Sequence, residues 1–184
     1  WVGAKHMLTG YDHLLFLAGV IFFLKGFRDI VKFITVFTIG HSITLLGGTY
    51  LGIQVNEYAI DAVIALSVLY KGFENLDGFG KLGIKSPNLL GMVFLFGLIH
   101  GLGLSTRLQS FDMGQEQFLL KIISFNVGVE LGQIAALIPI ILLINSWKRK
   151  SSYAAFYKAS NVYLMIAGIG LFVYQVYLFF THAH

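Results

Sequence analysis

Six stretches of the chain, near 6–25, 31–51, 58–76, 88–105, 118–146 and 160–181, are apolar over the roughly 18 residues or more that a helix needs to cross a hydrocarbon layer about 30 Å thick. Nothing else in the sequence narrows the fold as far. The connections between them are short and hold the Gly, Pro, Asn and charged residues, which leaves no room for a soluble domain. The expected architecture is all-α: a polytopic membrane protein in which residues 1–184 form a single bundle of about six transmembrane helices. Composition agrees, with 57% hydrophobic and only 12% charged residues, outside the usual balance of a soluble domain.

The formal net charge of +4 invites a nucleic-acid reading until the basic residues are placed. Ten of the thirteen Lys and Arg fall in the first, third and fifth connections: Lys25, Arg28 and Lys32, then Lys71, Lys81 and Lys85, then Lys148, Arg149, Lys150 and Lys158. Basic residues in short loops stay cytoplasmic, so both termini are expected on the non-cytoplasmic side and nucleic acid is excluded as a partner. The absence of cysteine removes disulfides, thiolate metal sites and cysteine nucleophiles. A chain that starts at Trp1 rather than Met leaves three readings open: a cleaved signal peptide, an absent upstream segment or a trimmed chain.

Ionisable groups inside hydrocarbon are costly and call for a partner or a purpose. At ~1.5 Å of rise per residue, His13 lies about 18 Å from Lys25, His41 about 18 Å from Asp29, and His100 about 18 Å from Asn88. Glu130 lies about 18 Å from Phe118, counted from the other side. Four helices therefore bring a histidine or a carboxylate to nearly one depth. His6, Gly10 and His13 share a stripe, and Asp12 beside His13 suits the carboxylate–histidine pairing that orients metal ligands. Asn126, Glu130 and Gln133 follow at i, i+4 and i+7 as a polar stripe, with Glu130 either balancing charge or serving its two neighbours structurally. Thr38 and Thr44 stand one turn either side of His41, and Gly97 and Gly101 flank His100, where small residues let helices approach. The expected metal set is His6, Asp12, His13, His41 and His100, with Glu130, Asn126, Gln133, Thr38 and Thr44 along a polar path. His6 is at the membrane edge, where water could also satisfy it.

Other polar residues read more plainly. Asp61 is expected either to be solvated or to serve a helix N-terminus, and Lys71 with Glu74 and Asn75 to form an i, i+3 charge pair on the wet cytoplasmic rim. His182 and His184 in "THAH" read as a terminal tail. "LDGFGKLGIK" lacks the GK[ST] ending and the preceding strand of a phosphate loop and reads as a connector.

"HMLTGYDHLLFL" matches a His-x5-Asp-His signature, and together with "FTIGHSITL", "FGLIHGLGLS" and "FNVGVELGQ" it resembles, in the same order, the helical blocks of the HupE/UreJ family. The likeness runs from His6 to about Gln133. That family comprises small polytopic bacterial membrane proteins regarded as nickel or cobalt permeases. The resemblance implies that His6, Asp12 and His13 belong to the metal-recognition motif, with His41 and His100 as further candidates. The family's second motif has two histidines around an HG step, whereas "LIHGLG" supplies only His100.

The expected function is transport of a transition-metal ion across the bacterial inner membrane. Imidazole and carboxylate suit Ni, Co, Zn or Cu, and the absence of thiolate or a methionine cluster argues against a dedicated Cu(I) site. The alternative is an intramembrane zinc-dependent hydrolase with the same cluster as its metal site. The expected partners are the metal ion and the lipid bilayer, and self-association into a homo-oligomer is compatible with the pattern.

Overall fold

The computed structural model describes residues 11–23, 27–109 and 118–182. Its seven α-helices among those residues are α1 (Tyr11–Val20), α2 (Phe27–Tyr50), α3 (Glu57–Asn75), α4 (Gly78–Lys81), α5 (Leu89–Gln109), α6 (Phe118–Trp147) and α7 (Tyr153–His182). A 3-10 turn, Ile21–Phe23, tightens the end of α1. No strand occurs among the described residues. Four helices are long and apolar enough to cross a membrane: Arg28–Tyr50, Leu89–Gln109, Leu120–Trp147 and Tyr153–His182. Helix α3 is of similar length but carries Glu57, Asp61, Lys71 and Glu74, and α1 is described over ten residues. Helix α7 begins at Tyr153 rather than near residue 160, so its first turns, still carrying Lys158, lie inside the helix.

Two helix pairs are in closest association, α2 with α5 and α3 with α7. Missing side chains make this possible. A Cβ on Gly97 would strike the Phe37 carbonyl oxygen, and one on Gly101 would strike both the His41 carbonyl oxygen and the Thr44 hydroxyl. Across the second pair, a Cβ on Gly72 would stand 2.8 Å from the Asn161 carbonyl oxygen, and one on Gly168 would stand 2.7 Å from the Leu69 amide nitrogen. Backbones this close gain dispersion contacts along their whole length, which is what holds helices together where the surroundings are as apolar as the side chains.

The buried core is aromatic at its centre. Phe16 of α1 meets Phe33 and Phe37 of α2 at ring separations of 6.2 Å, and Phe96 of α5 edge-on at 5.2 Å. Outside, Ile123, Leu131, Leu142, Ile166, Val173 and Phe180 are exposed, an apolar exterior suited to lipid. This is a multi-pass membrane protein.

Two expectations about charge are corrected. Asp61 is not simply solvated: its Oδ2 lies 2.6 Å from Arg107 Nη2, and Glu57 Oε2 lies 3.3 Å from Arg107 Nε, which ties the start of α3 to the end of α5. The partners are 46 and 50 residues apart, invisible to local spacing. Because Arg107 is 41% exposed, R107A should cost only up to about 1 kcal/mol in an unfolding titration. Lys71 and Glu74 are not on a wet rim either. Their side chains are 1% and 6% exposed. Helix α1 closes over them because residue 19 is glycine: a Cβ there would be 2.9 Å from Lys71 Cγ.

Candidate metal-binding site

The site is built where α1, α2 and α5 converge on the aromatic core. "FTIGHSITL" sets His41 in the middle of α2, and "FGLIHGLGLS" sets His100 in the middle of α5. Both are buried, at 1% and 3% exposure. The glycines on α5 bring the two helices close at this level, since the positions of Gly97 and Gly101 abut the backbone of Phe37 and His41. Thr44 strengthens the join by donating its hydroxyl to the Leu98 carbonyl oxygen at 2.6 Å.

One phenylalanine touches both histidines. The Phe37 ring stacks on His41 at 6.0 Å and 21°, and meets His100 edge-on at 5.3 Å and 67°. Phe16 adds a third contact, 5.9 Å from the His100 ring. The His100 tautomer follows from its backbone bond: Nδ1 lies 2.7 Å from the Phe96 carbonyl oxygen, which can only accept, so Nδ1 carries the proton. In the neutral ring Nε2 then holds the lone pair. This is the second-sphere arrangement that orients an imidazole for metal binding.

The polar stripe on α6 divides. Asn126 and Gln133 lie on the buried face, at 8% and 0% exposure, and Glu130 is half-buried. Asn126 donates to the Ile122 carbonyl oxygen at 3.2 Å. Neither the oxygen nor the nitrogen of the Gln133 amide has a hydrogen-bond partner among the described residues, nor does the buried Thr38 hydroxyl. Buried polar atoms in that condition are where an ion or an ordered water belongs.

Of the expected metal set, the structure brings His41 and His100 to one aromatic cluster. His6 lies outside the described residues. Asp12 and His13 fall in the first turn of α1, and their side chains lie outside the described set. Among the described residues, no group of three or more His, Cys, Asp or Glu is placed to hold a metal ion.

A second polar group was not foreseen. Asn161 of α7 is wholly buried and accepts at Oδ1 from Asn75 Nδ2, which also donates to the Gly19 carbonyl oxygen at 2.8 Å. The Tyr157 hydroxyl donates to the Asn75 carbonyl oxygen at 2.6 Å. With Lys71 and Glu74 alongside, this network joins α1, α3 and α7. Because α7 starts at Tyr153, Asn161 lies about 12 Å inside the helix rather than at its edge.

The family model described as HupE / UreJ protein matches residues 1–183, essentially the whole chain. The chain belongs to the HupE/UreJ family. No curated protein and no solved structure matches it. The match includes α7, for which the sequence resemblance rested on apolarity alone. In this HupE/UreJ chain, His41 and His100 come from two of those motif blocks and pack against one phenylalanine ring.

Proposed function

We propose that this HupE/UreJ protein carries a divalent transition-metal ion, nickel or cobalt foremost with zinc and copper as the other candidates, across the bacterial inner membrane. The observation that carries the reading is the pair of buried imidazoles, His41 and His100, set against one phenylalanine, with the His100 proton held at Nδ1. Family membership supports it. Two imidazoles are an incomplete shell for such an ion, and helix α1 is the source of the rest. Phe16, three residues beyond the His-x5-Asp-His motif in sequence, packs on His100.

In this reading α1 and α3 complete six spans, with both termini on the non-cytoplasmic side and the basic connections in the cytoplasm. An arriving ion meets His6, passes Asp12 and His13, and is held by His41 and His100. Glu130 balances its charge, and Thr38, Thr44, Asn126 and Gln133 offer oxygen or nitrogen along the way. A proton and a metal ion compete for the same lone pair on His100 Nε2. Bound metal should therefore fall on acidification and return when pH is raised.

The test is to purify the protein in detergent without a metal-binding tag, count bound Ni, Co, Cu and Zn by elemental mass spectrometry, and measure uptake of the retained ion into liposomes. The expected result is metal that binds, is lost at low pH, and crosses the membrane. Metal that binds without any flux would sink the carrier reading and favour a resident catalytic zinc.

A further inference from the structure

Helices α6 and α7 follow one another in the chain but find their main partners elsewhere, α6 on α2 and α7 on α3. Between them, backed by α1, runs an apolar groove of about 330 Å³. Ile21, Ile144 and Leu164 form its buried floor, while Leu143 and Tyr163 at its edges are exposed, so it opens on the outer face of the bundle. Among the described residues, only Ser160 and Tyr163 bring polar side-chain atoms to its wall. A water molecule needs about two to four polar partners, and an apolar cavity of roughly 150 Å³ stays dry and takes up benzene instead. The groove is about twice that size and runs about 12 Å along α7, from Phe156 to Leu164. Those are the dimensions of a stretch of hydrocarbon chain.

One end of the groove is charged. Ile140 and Ile144 line it at i and i+4 on α6, and Lys148 is the next position on that ridge, its backbone N–H bonded to the Ile144 carbonyl oxygen at 2.9 Å. Arg149 and Lys150 follow, and all three are exposed. The turn that carries them is fixed against the groove, because the Trp147 ring stacks on the lining residue Phe156 at 4.5 Å and 16° and donates its Nε1–H to Ser152 Oγ at 2.9 Å. Between Glu130 and the end of the chain there is no Asp or Glu, so this half of α6 and the whole of α7 hold no carboxylate for these cations.

We propose that the groove between α6 and α7 holds an acyl chain of an anionic phospholipid, whose phosphate lies on Lys148, Arg149 and Lys150. Anionic headgroups are drawn to basic clusters at the ends of membrane helices, and a Trp beside such a cluster is an anchor of the membrane interface. Charge places the headgroup and the groove places the chain. A zwitterionic lipid meets only the second requirement and a free phosphate only the first. The bound chain fills the gap between α6 and α7, whichever ion the protein carries.

Native mass spectrometry of the full chain in detergent tests this, with phosphatidylglycerol, phosphatidylcholine and glycerol phosphate as probes. Wild type should retain phosphatidylglycerol at about one per chain, hold phosphatidylcholine about tenfold or more less tightly, and leave glycerol phosphate unbound. K148Q/R149Q/K150Q should lose the preference between the two lipids, and A18F, which sets a ring in the groove, should lose the lipid. Should A18F not fold, wild-type protein supplies the answer through chain length: short-chain phosphatidylglycerol should bind several times more weakly than the long-chain form, and equal binding overturns the proposal. Equal retention of the two lipids by wild type, an unchanged preference in the triple glutamine variant, or glycerol phosphate bound as well as the lipid also overturns it. So does a dimer that excludes the lipid, because a second copy of the chain then covers the groove.

Discussion

Replacing His100 with alanine should cut nickel or cobalt binding by about a hundredfold or more, since losing even an outer-sphere partner of a metal ligand typically costs 10–100-fold. His41→Ala should do the same, and the double variant should be little worse than either alone, because two ligands of one ion are not independent. H100Q fills much of the imidazole volume in a site that is 3% exposed, so it separates a missing ligand from a cavity in the core. It should melt near wild type yet bind as poorly as H100A. H182A is the counterpart. His182 ends α7, is exposed, and touches the Tyr58 ring at 6.0 Å, and its loss should leave metal content unchanged. Elemental mass spectrometry on the five variants, with unfolding followed by circular dichroism, decides the matter. Full metal occupancy in folded H100A and H41A would remove both from the site.

How much of this was legible in the sequence depended on whether the signal was local. A histidine in the middle of an apolar run stands out without any knowledge of its neighbours, and His41 and His100 were found that way. The glycines beside His100 were legible for the same reason, as small residues at helix-contact spacing. Burial of Lys71 was not, because it depends on α1 and α7 closing over α3. That closure turns on the absence of a side chain at Gly19, more than fifty residues away. The same holds for Arg107, whose carboxylate partners lie across a helix–helix contact. Asn161 carried no local signal: one polar residue at the start of an apolar run is unremarkable, and only a helix that begins at Tyr153 sets it two turns deep as a buried amide. Gln133 lay in a stripe that periodicity revealed, yet only the folded chain separates its wholly buried amide from the half-buried Glu130.

The closeness of α2 and α5 makes the second large prediction, and it concerns folding as much as metal. Gly101→Ala adds one methyl group, but the position it would take is already held by the His41 carbonyl oxygen and the Thr44 hydroxyl. Backbone cannot turn aside as a side chain can, so the helices must separate, and the cost should be about 2–3 kcal/mol, at the upper end for overpacking. Separation would also break the Thr44 bond to the Leu98 carbonyl and part the two histidines, so metal binding should fall with stability. Gly47→Ala on α2 is the control, because nothing lies within 4 Å of a Cβ there. In a helix interior, alanine is favoured over glycine by roughly 0.5–1 kcal/mol, so G47A should be neutral or stabilising. The two substitutions are chemically identical, and only the packing of α2 on α5 distinguishes them. Equal unfolding free energies for G101A and G47A in a denaturant titration would mean that α2 and α5 do not approach as described, and the histidine pair would lose the geometry on which its chemistry depends.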